Sequence, residues 1–414
     1  MINTVLLRTP TVRHSHSPAL KVSVCILLLL ISLIITYIKP AQSYAQHDQQ
    51  TTEQYQQQLD DQIDEQVDKL DLSLLDAFYR SVGDEDSIYG GGIVDMLKSI
   101  LDGSLVVDEG TFLTYIGNNL LSSMLGTISS LSIVIVVAVL IGVVANKDYA
   151  DNKSRGEIIY LACYCLIISV VLVSVINLAD ITRNTIYSIK TLINVLMPIL
   201  LTLMSAIGAS SSVTAYQPSV ALLSSGIIEL FCIVILPLCL LAIVFSVVSN
   251  ISENIRLDKI SSFIHKLSTT MIGIVFSIFT SFLTIKGITA SATDNISIRA
   301  VKYATRNYIP VVGGYLAEGF DFIIASSVLI KNAFGIIGLI ILLTIVVKPV
   351  LKVLLYSLAL SLVAGFIEPV TDKRVVAFLS STSKNLTILY VSVLAITFML
   401  FIIILLVMCT ANSL

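Results

Sequence analysis

Eight stretches of the chain stay apolar for about the length of a bilayer crossing: 119–145, 158–178, 191–208, 226–248, 267–285, 322–347, 350–369 and 387–409. A helix of about 20 apolar residues spans the hydrocarbon core, and in lipid only helices and closed barrels satisfy their own backbone groups. Runs this long exceed ordinary strands, which have about 3–10 residues. The expected fold is therefore all-α: a polytopic α-helical membrane protein with about seven to eight transmembrane helices. Charge agrees, since 13% of residues are charged against about 25% in soluble domains. The third stretch is short, contains Pro198, and runs into Ser205-Ala206-Ile207-Gly208-Ala209-Ser210-Ser211-Ser212. It suits either a full span with an uncharged loop or a half-span buried in protein.

Ahead of these stretches the chain divides by charge. Residues 1–45 contain Arg8, Arg13 and Lys21, then the apolar run Val22–Ile38, then Ser43-Tyr44-Ala45. This is the pattern of a signal peptide, cleaved after Ala45 or retained as an anchor. Either outcome places residues 46–118 outside the cytoplasm. That region is acidic, and Tyr55, Leu59, Ile63, Val67, Leu70, Leu74 and Phe78 recur at helical spacing over 54–80, predicting an amphipathic helix. Such a helix packs on its own region or docks a partner. A second short helix is expected from Ile93 to Leu101. Residues 119–414 form the membrane domain.

The six cysteines lie in apolar runs and give neither a disulfide framework nor zinc spacing. The sequence offers no Ser-His-Asp or Cys-His set, no His-Glu-x-x-His and no nucleotide loop. No cofactor or metal is expected, and the reading is non-enzymatic. The basic residues are scattered without aromatic interleaving, which gives no reason to expect a nucleic-acid partner. The lipid bilayer is the expected environment.

Charges inside apolar runs are costly, about 3 kcal/mol or more at the bilayer centre. Glu229, Glu318, Asp321 and Lys331 are accordingly the candidate polar membrane-path or partner contacts. Asp321 and Lys331 are ten residues apart, about 15 Å along a helix, and do not form an intrahelical pair, so the lysine's partner comes from another segment, water or another chain. Small residues recur every fourth position at Gly273, Ser277 and Ser281, and at Ser357, Ser361 and Gly365. Such ridges let helix backbones approach closely, within the chain or in a homo-oligomer. Arg299, Lys302 and Arg306 form a basic stripe over 298–309, with Ile298, Val301 and Tyr308 opposite, as in an interfacial helix. Pro310 ends it and Gly313-Gly314 follows as a hinge.

Two motifs, Ala300-Val301-Lys302-Tyr303-Ala304-Thr305-Arg306-Asn307-Tyr308-Ile309-Pro310-Val311-Val312-Gly313-Gly314 and Leu329-Ile330-Lys331-Asn332-Ala333-Phe334-Gly335, resemble the stage III sporulation protein AE family of endospore-forming bacteria. The order of signal, acidic segment and spans is similar too. The resemblance implies a place in the mother-cell membrane around the forespore. It implies membership of a multiprotein channel, with the other stage III A-operon membrane proteins and a forespore-membrane partner. It carries over no catalytic or ligand residue. From the residues alone, a stand-alone secondary transporter or small-solute channel is the alternative.

Overall fold

The computed structural model describes residues 62–63, 65–67, 70, 72–82, 91–102, 109–148, 153–251, 257–308 and 313–410. The expected signal segment 1–45 lies outside the described residues. Among those described, the regular structure is helical. Two short helices, α1 (Ser73–Val82) and α2 (Ile93–Leu101), precede the long ones. These are α3 (Glu109–Asp148), α4 (Lys153–Ile207), α5 (Ser210–Ser249), α6 (Asp258–Tyr308), α7 (Gly313–Ile367) and α8 (Lys373–Cys409). Each of α3 to α8 carries a segment long and apolar enough to cross a membrane. The chain is an all-α, multi-pass membrane protein.

The eight apolar stretches resolve into six helices because two pairs fuse. Stretches 158–178 and 191–208 both belong to α4, and 322–347 and 350–369 both belong to α7. The intervening cations, Arg183 and Lys190 in α4 and Lys348 and Lys352 in α7, read as loop signals in the sequence. Arg and Lys are nevertheless good helix formers. Pro198 and Pro349 sit inside these helices. Each removes one N–H donor, a loss that neighbouring helices tolerate. At 1.5 Å per residue, the 55 residues of α7 extend about 80 Å, far more than a hydrocarbon core of about 30 Å.

α7 is the axis of the bundle. Its apolar residues are spread around the helix without a single polar face, and most of its apolar segment is buried, which suits a helix enclosed by others. Its closest packing is on α8, then α4 and α3. Phe334, Ile337, Ile341, Val350 and Leu360 of α7 are buried, as are Phe378, Leu389, Ile396 and Leu400 of α8. Ser357 and Ser383 exchange hydrogen bonds between these two helices: each hydroxyl donates to the other's carbonyl, at 2.9 and 2.7 Å.

The serine-rich stretch after 204 is the end of one helix and the start of the next rather than an extended loop. Gly208 has φ +89°, a left-handed conformation that favours glycine. The N–H of Gly208 donates to Ser205 O and that of Ala209 to Met204 O, both at 3.0 Å. This pair of bonds is a Schellman motif, and it ends α4. α5 begins at Ser210, so the two helices meet in a tight turn. Farther along α5, two π-helical segments, Leu222–Ile227 and Phe231–Ile235, bracket Glu229.

The N-terminal helices pack onto the bundle, with α2 on α7 and α1 on α4 and α7. Ile63, Leu75, Tyr79, Ile93, Met96 and Leu97 join the main core. The helix expected over 54–80 is interrupted: Leu70 is in a bend, Leu72 is non-helical and α1 starts at Ser73. The break shifts the buried face to Leu75 and Tyr79 and leaves Leu74 exposed. Residues 298–308 are the last turns of α6 and not a separate interfacial helix. There Ile298 is buried, but Val301 is exposed. Tyr308 has no described side chain.

Candidate functional site

α7 brings Lys331 against the end of α8. The lysine is completely buried, with Nζ donating to Met408 O at 3.2 Å and to Thr410 O. Thr410 is the C-cap of α8, so these are carbonyls that a helix end leaves without intrahelical partners. A cation there also meets the negative end of the helix dipole. Two glycines permit the approach. A Cβ on Gly335 would lie 2.5 Å from Met408 Cγ, and one on Gly338 would lie 2.2 Å from Leu196 Cδ2. Gly335 thus seats the end of α8 on α7, and Gly338 seats α4.

A second helix end is capped nearby by a buried carboxylate. Asp294 on α6 is 2% exposed. Its Oδ1 accepts from the N–H of Ser211 and its Oδ2 from the N–H of Ser212, each at 2.8 Å. The N-cap of α5, Ala209, offers no side-chain acceptor, so α6 supplies the cap. Tyr216, one turn further along α5, links the two caps. Its hydroxyl donates to Thr410 Oγ1 at 3.4 Å, while Thr410 Oγ1 donates to Leu406 O. Gly287 leaves room for the Tyr216 ring and for Leu406. Nearby on α7, Ser326 accepts from Gln66 Nε2, and Ser327 donates to Gln66 Oε1, both at 2.9 Å. This end of the bundle therefore joins the start of α5, the end of α8 and the N-terminal region through buried polar contacts.

The other sequence candidates are dispersed. Glu229 on α5 accepts from Lys190 Nζ of α4 at 2.6 Å, both side chains being partly exposed. Asp321 pairs with Lys302, one member of the basic stripe, while Arg299 and Arg306 are exposed. Glu318 is in an early turn of α7, and its side chain lies outside the described residues. Gly273, Ser277 and Ser281 face outward on α6, with nothing near a Cβ on Gly273. The second ridge divides: Ser357 is buried against Ser383, while Ser361 and Gly365 are exposed.

Beside the Lys190–Glu229 pair runs an open groove of about 520 Å³ between α4 and α5. Asn194, Thr202, Ser205, Gln217, Ser224 and Ser225 supply its polar lining. Ser224 Oγ donates to Asn194 Oδ1 at 2.7 Å. Asn194, Gln217 and Ser225 are exposed.

Asp294, Lys190 and the groove residues are absent from the candidates that sequence reasoning selects. The Ser210-Ser211-Ser212 run signals a helix start, but its cap is about 80 residues away in α6, beyond any local pattern. Among the described residues no group of His, Cys, Asp or Glu is arranged to hold a metal ion. The site is a set of helix-end caps and ion pairs.

The family model for stage III sporulation protein AE matches residues 92–411. Stage III sporulation protein AE of Bacillus subtilis (strain 168) is 27% identical over 291 residues, covering 70% of this chain and 71% of that protein. No solved structure matches. The match takes in every long helix and both capped helix ends, and the chain belongs to the stage III sporulation protein AE family.

Proposed function

We propose that the chain is a non-catalytic membrane subunit of a multiprotein channel or secretion complex that links mother cell and forespore during endospore formation. It acts in the mother-cell membrane around the forespore. Its acidic residues 46–118 are extracytoplasmic, where they meet the other stage III A-operon membrane proteins and a forespore-membrane partner. Family membership supplies the sporulation role. The observation that carries the subunit reading is the open polar groove between α4 and α5. It lies within two candidate spans, Tyr160–Ile207 and Ser210–Ser249. Lipid tails cannot hydrogen-bond to Asn194, Gln217 or Ser225, so another protein surface is the fitting neighbour. The stand-alone transporter has less support. Lys331 is engaged by helix-end carbonyls and Glu229 by Lys190, so neither charge is left to serve a substrate path.

The test is recovery of the tagged full chain from sporulating cells in mild detergent. The other A-operon membrane proteins should come with it. Ser225→Leu, at an exposed groove position, should reduce that recovery while the variant unfolds at the wild-type temperature. Isolation of the chain alone, together with solute flux in liposomes holding only this protein, would overturn the proposal.

A further inference from the structure

We propose that the bilayer surrounds only the half of the bundle that holds the end of α5, and that the half around the α4–α5 turn stands in water. Apolar sequence does not separate the two halves, because a residue can be apolar for the core or for lipid. Exposure separates them. On α4 the exposed side chains up to Ile176 include Ile158, Leu161, Leu166 and Val173. Beyond it Asn177, Asp180, Arg183, Asn184, Asn194 and Thr202 are exposed. The apolar residues of that second part, such as Ile193, Leu196, Met197 and Leu200, are buried in the bundle, so they serve the core and not lipid. α6 changes in the same way. Ile260, Phe263, Ile274, Ile278, Phe282 and Ile285 are exposed, followed by Lys286, Thr289, Thr293 and Ser297. α5 runs in the opposite direction, from exposed Thr214, Gln217 and Ser225 to exposed Ile233, Leu241 and Val244.

The apolar belt has the height of a bilayer. At 1.5 Å per residue, the exposed apolar faces Leu121–Leu140 of α3 and Ile158–Ile176 of α4 cover about 29 and about 27 Å, and Ile260–Ile285 of α6 covers about 38 Å. A hydrocarbon core is about 30 Å thick, and a tilted helix carries a longer apolar face. The faces share one end of the molecule, which three hydrogen bonds hold in register. Tyr160 Oη donates to Asn250 O at 3.0 Å, the Leu257 N–H to Ser249 Oγ at 3.0 Å, and Thr371 Oγ1 to Ala138 O at 2.7 Å. Away from the belt, Tyr187 and Leu222 are exposed singly. At the far end, Ile296, Val301 and Tyr303 of α6 alternate with Ser297, Arg299 and Arg306 and extend about 10 Å. Phe320, Ile323 and Leu329 of α7 extend about 13 Å. Neither patch is tall enough for a bilayer. The groove between α4 and α5 then opens to water above the belt. Under the proposed function, on which this last step rests, its occupant is a water-soluble segment of a partner and not a transmembrane helix.

The experiment uses the purified full chain in phosphatidylcholine nanodiscs, with single spin-labelled cysteines in a cysteine-free background. Oxygen concentrates in lipid and a nickel chelate in water. The ratio of oxygen to nickel relaxation should be severalfold higher at Val173→Cys and Ile278→Cys than at Thr202→Cys, Ser225→Cys and Thr293→Cys. Should the cysteine-free chain fail to fold, electron microscopy of the wild-type chain in the same discs decides. About 30 Å of helical density should stand outside one face of the disc, the length of α6 beyond Lys286. Lipid-like ratios at Thr202, Ser225 and Thr293, or a bundle flush with both faces of the disc, would overturn the proposal. Both measurements use the chain without partners, so their failure is distinct from failure of the subunit reading.

Discussion

At Lys331 two large effects oppose each other. Burying an ammonium group costs several kcal/mol. Hydrogen bonds from a charged group return about 1.5–3 kcal/mol each, and the end of α8 supplies two acceptors. Lys331→Met keeps most of the packed stem and removes both bonds, so a loss of about 1–3 kcal/mol is expected. Lys331→Ala also opens a cavity, raising the loss to about 2–5 kcal/mol. Thermal unfolding in detergent should rank wild type above Met above Ala, and Lys331→Ala should impair spore formation while the protein stays in the membrane. A Met variant as stable as wild type would show that the caps contribute nothing net. A different residue carries a pH dependence. Asp372, between α7 and α8, accepts from the Arg374 N–H at 2.8 Å and from its guanidinium at 3.0 Å. Burial pushes the Asp372 carboxyl up, but the hydrogen bonds and charge of Arg374 outweigh it and hold the group below the usual carboxylate value. A depressed folded-state pKa gives stability that is complete above the unfolded value, about 3.9, and lost as pH falls through the folded value. Asp372→Asn should therefore flatten the stability profile below about pH 4. If its profile parallels that of wild type across this window, the Asp372–Arg374 contact plays no part.

At the scale of elements, hydropathy made the helices legible and polarity misplaced their ends. Apolar runs such as 387–409 locate a helix because lipid and core select the same residues. Arg183, Lys190, Lys348 and Lys352 looked like breaks because a linear reading treats a cation as leaving the membrane, whereas α4 and α7 are longer than a membrane and carry their cations mid-helix. Lys331 stood out by its cost, but its acceptors are backbone carbonyls, which no side-chain pattern reports. Asp294 gave no such signal, since it lies in a moderately polar stretch of α6. Gly335 appeared only as part of a motif, and its purpose lies in the distance to Met408. That distance yields an element-scale prediction. Gly335→Val overpacks the α7–α8 contact and should cost about 1–3 kcal/mol. It should also lift the end of α8 away from Lys331. Gly335→Val and Lys331→Met share one contact, so their combined loss should be less than the sum of the two. Strict additivity in a double-mutant cycle would show that the glycine seats α8 without affecting the cap.

Across the whole molecule, six helices in place of eight spans reverse the sidedness of several connections. With residue 118 outside, eight spans put 252–256 outside and 309–312 in the cytoplasm, while six helices do the opposite. The distribution of basic residues favours six, because positive charge concentrates in cytoplasmic connections. Lys147, Lys153 and Arg155 then flank the first cytoplasmic connection, Arg256 and Lys259 the second, and Lys373 and Arg374 the third. Outside, the α4–α5 turn has no basic residue nearby, which leaves Arg299, Lys302 and Arg306 at the end of α6. Lys302 is paired there with Asp321. A cysteine-free background carrying either Val311→Cys or Ser252→Cys separates the two topologies. In intact cells a membrane-impermeant maleimide should label Val311→Cys, and should reach Ser252→Cys only after permeabilisation. The reverse pattern would restore eight spans and require α4 and α7 each to break within the membrane. The expected pattern places the start of α3, the α4–α5 turn, the Asp294 cap and the Lys331–Thr410 cap together on the extracytoplasmic side. Under the proposed function, the end of the bundle that carries these polar caps is then the one that would face partner proteins.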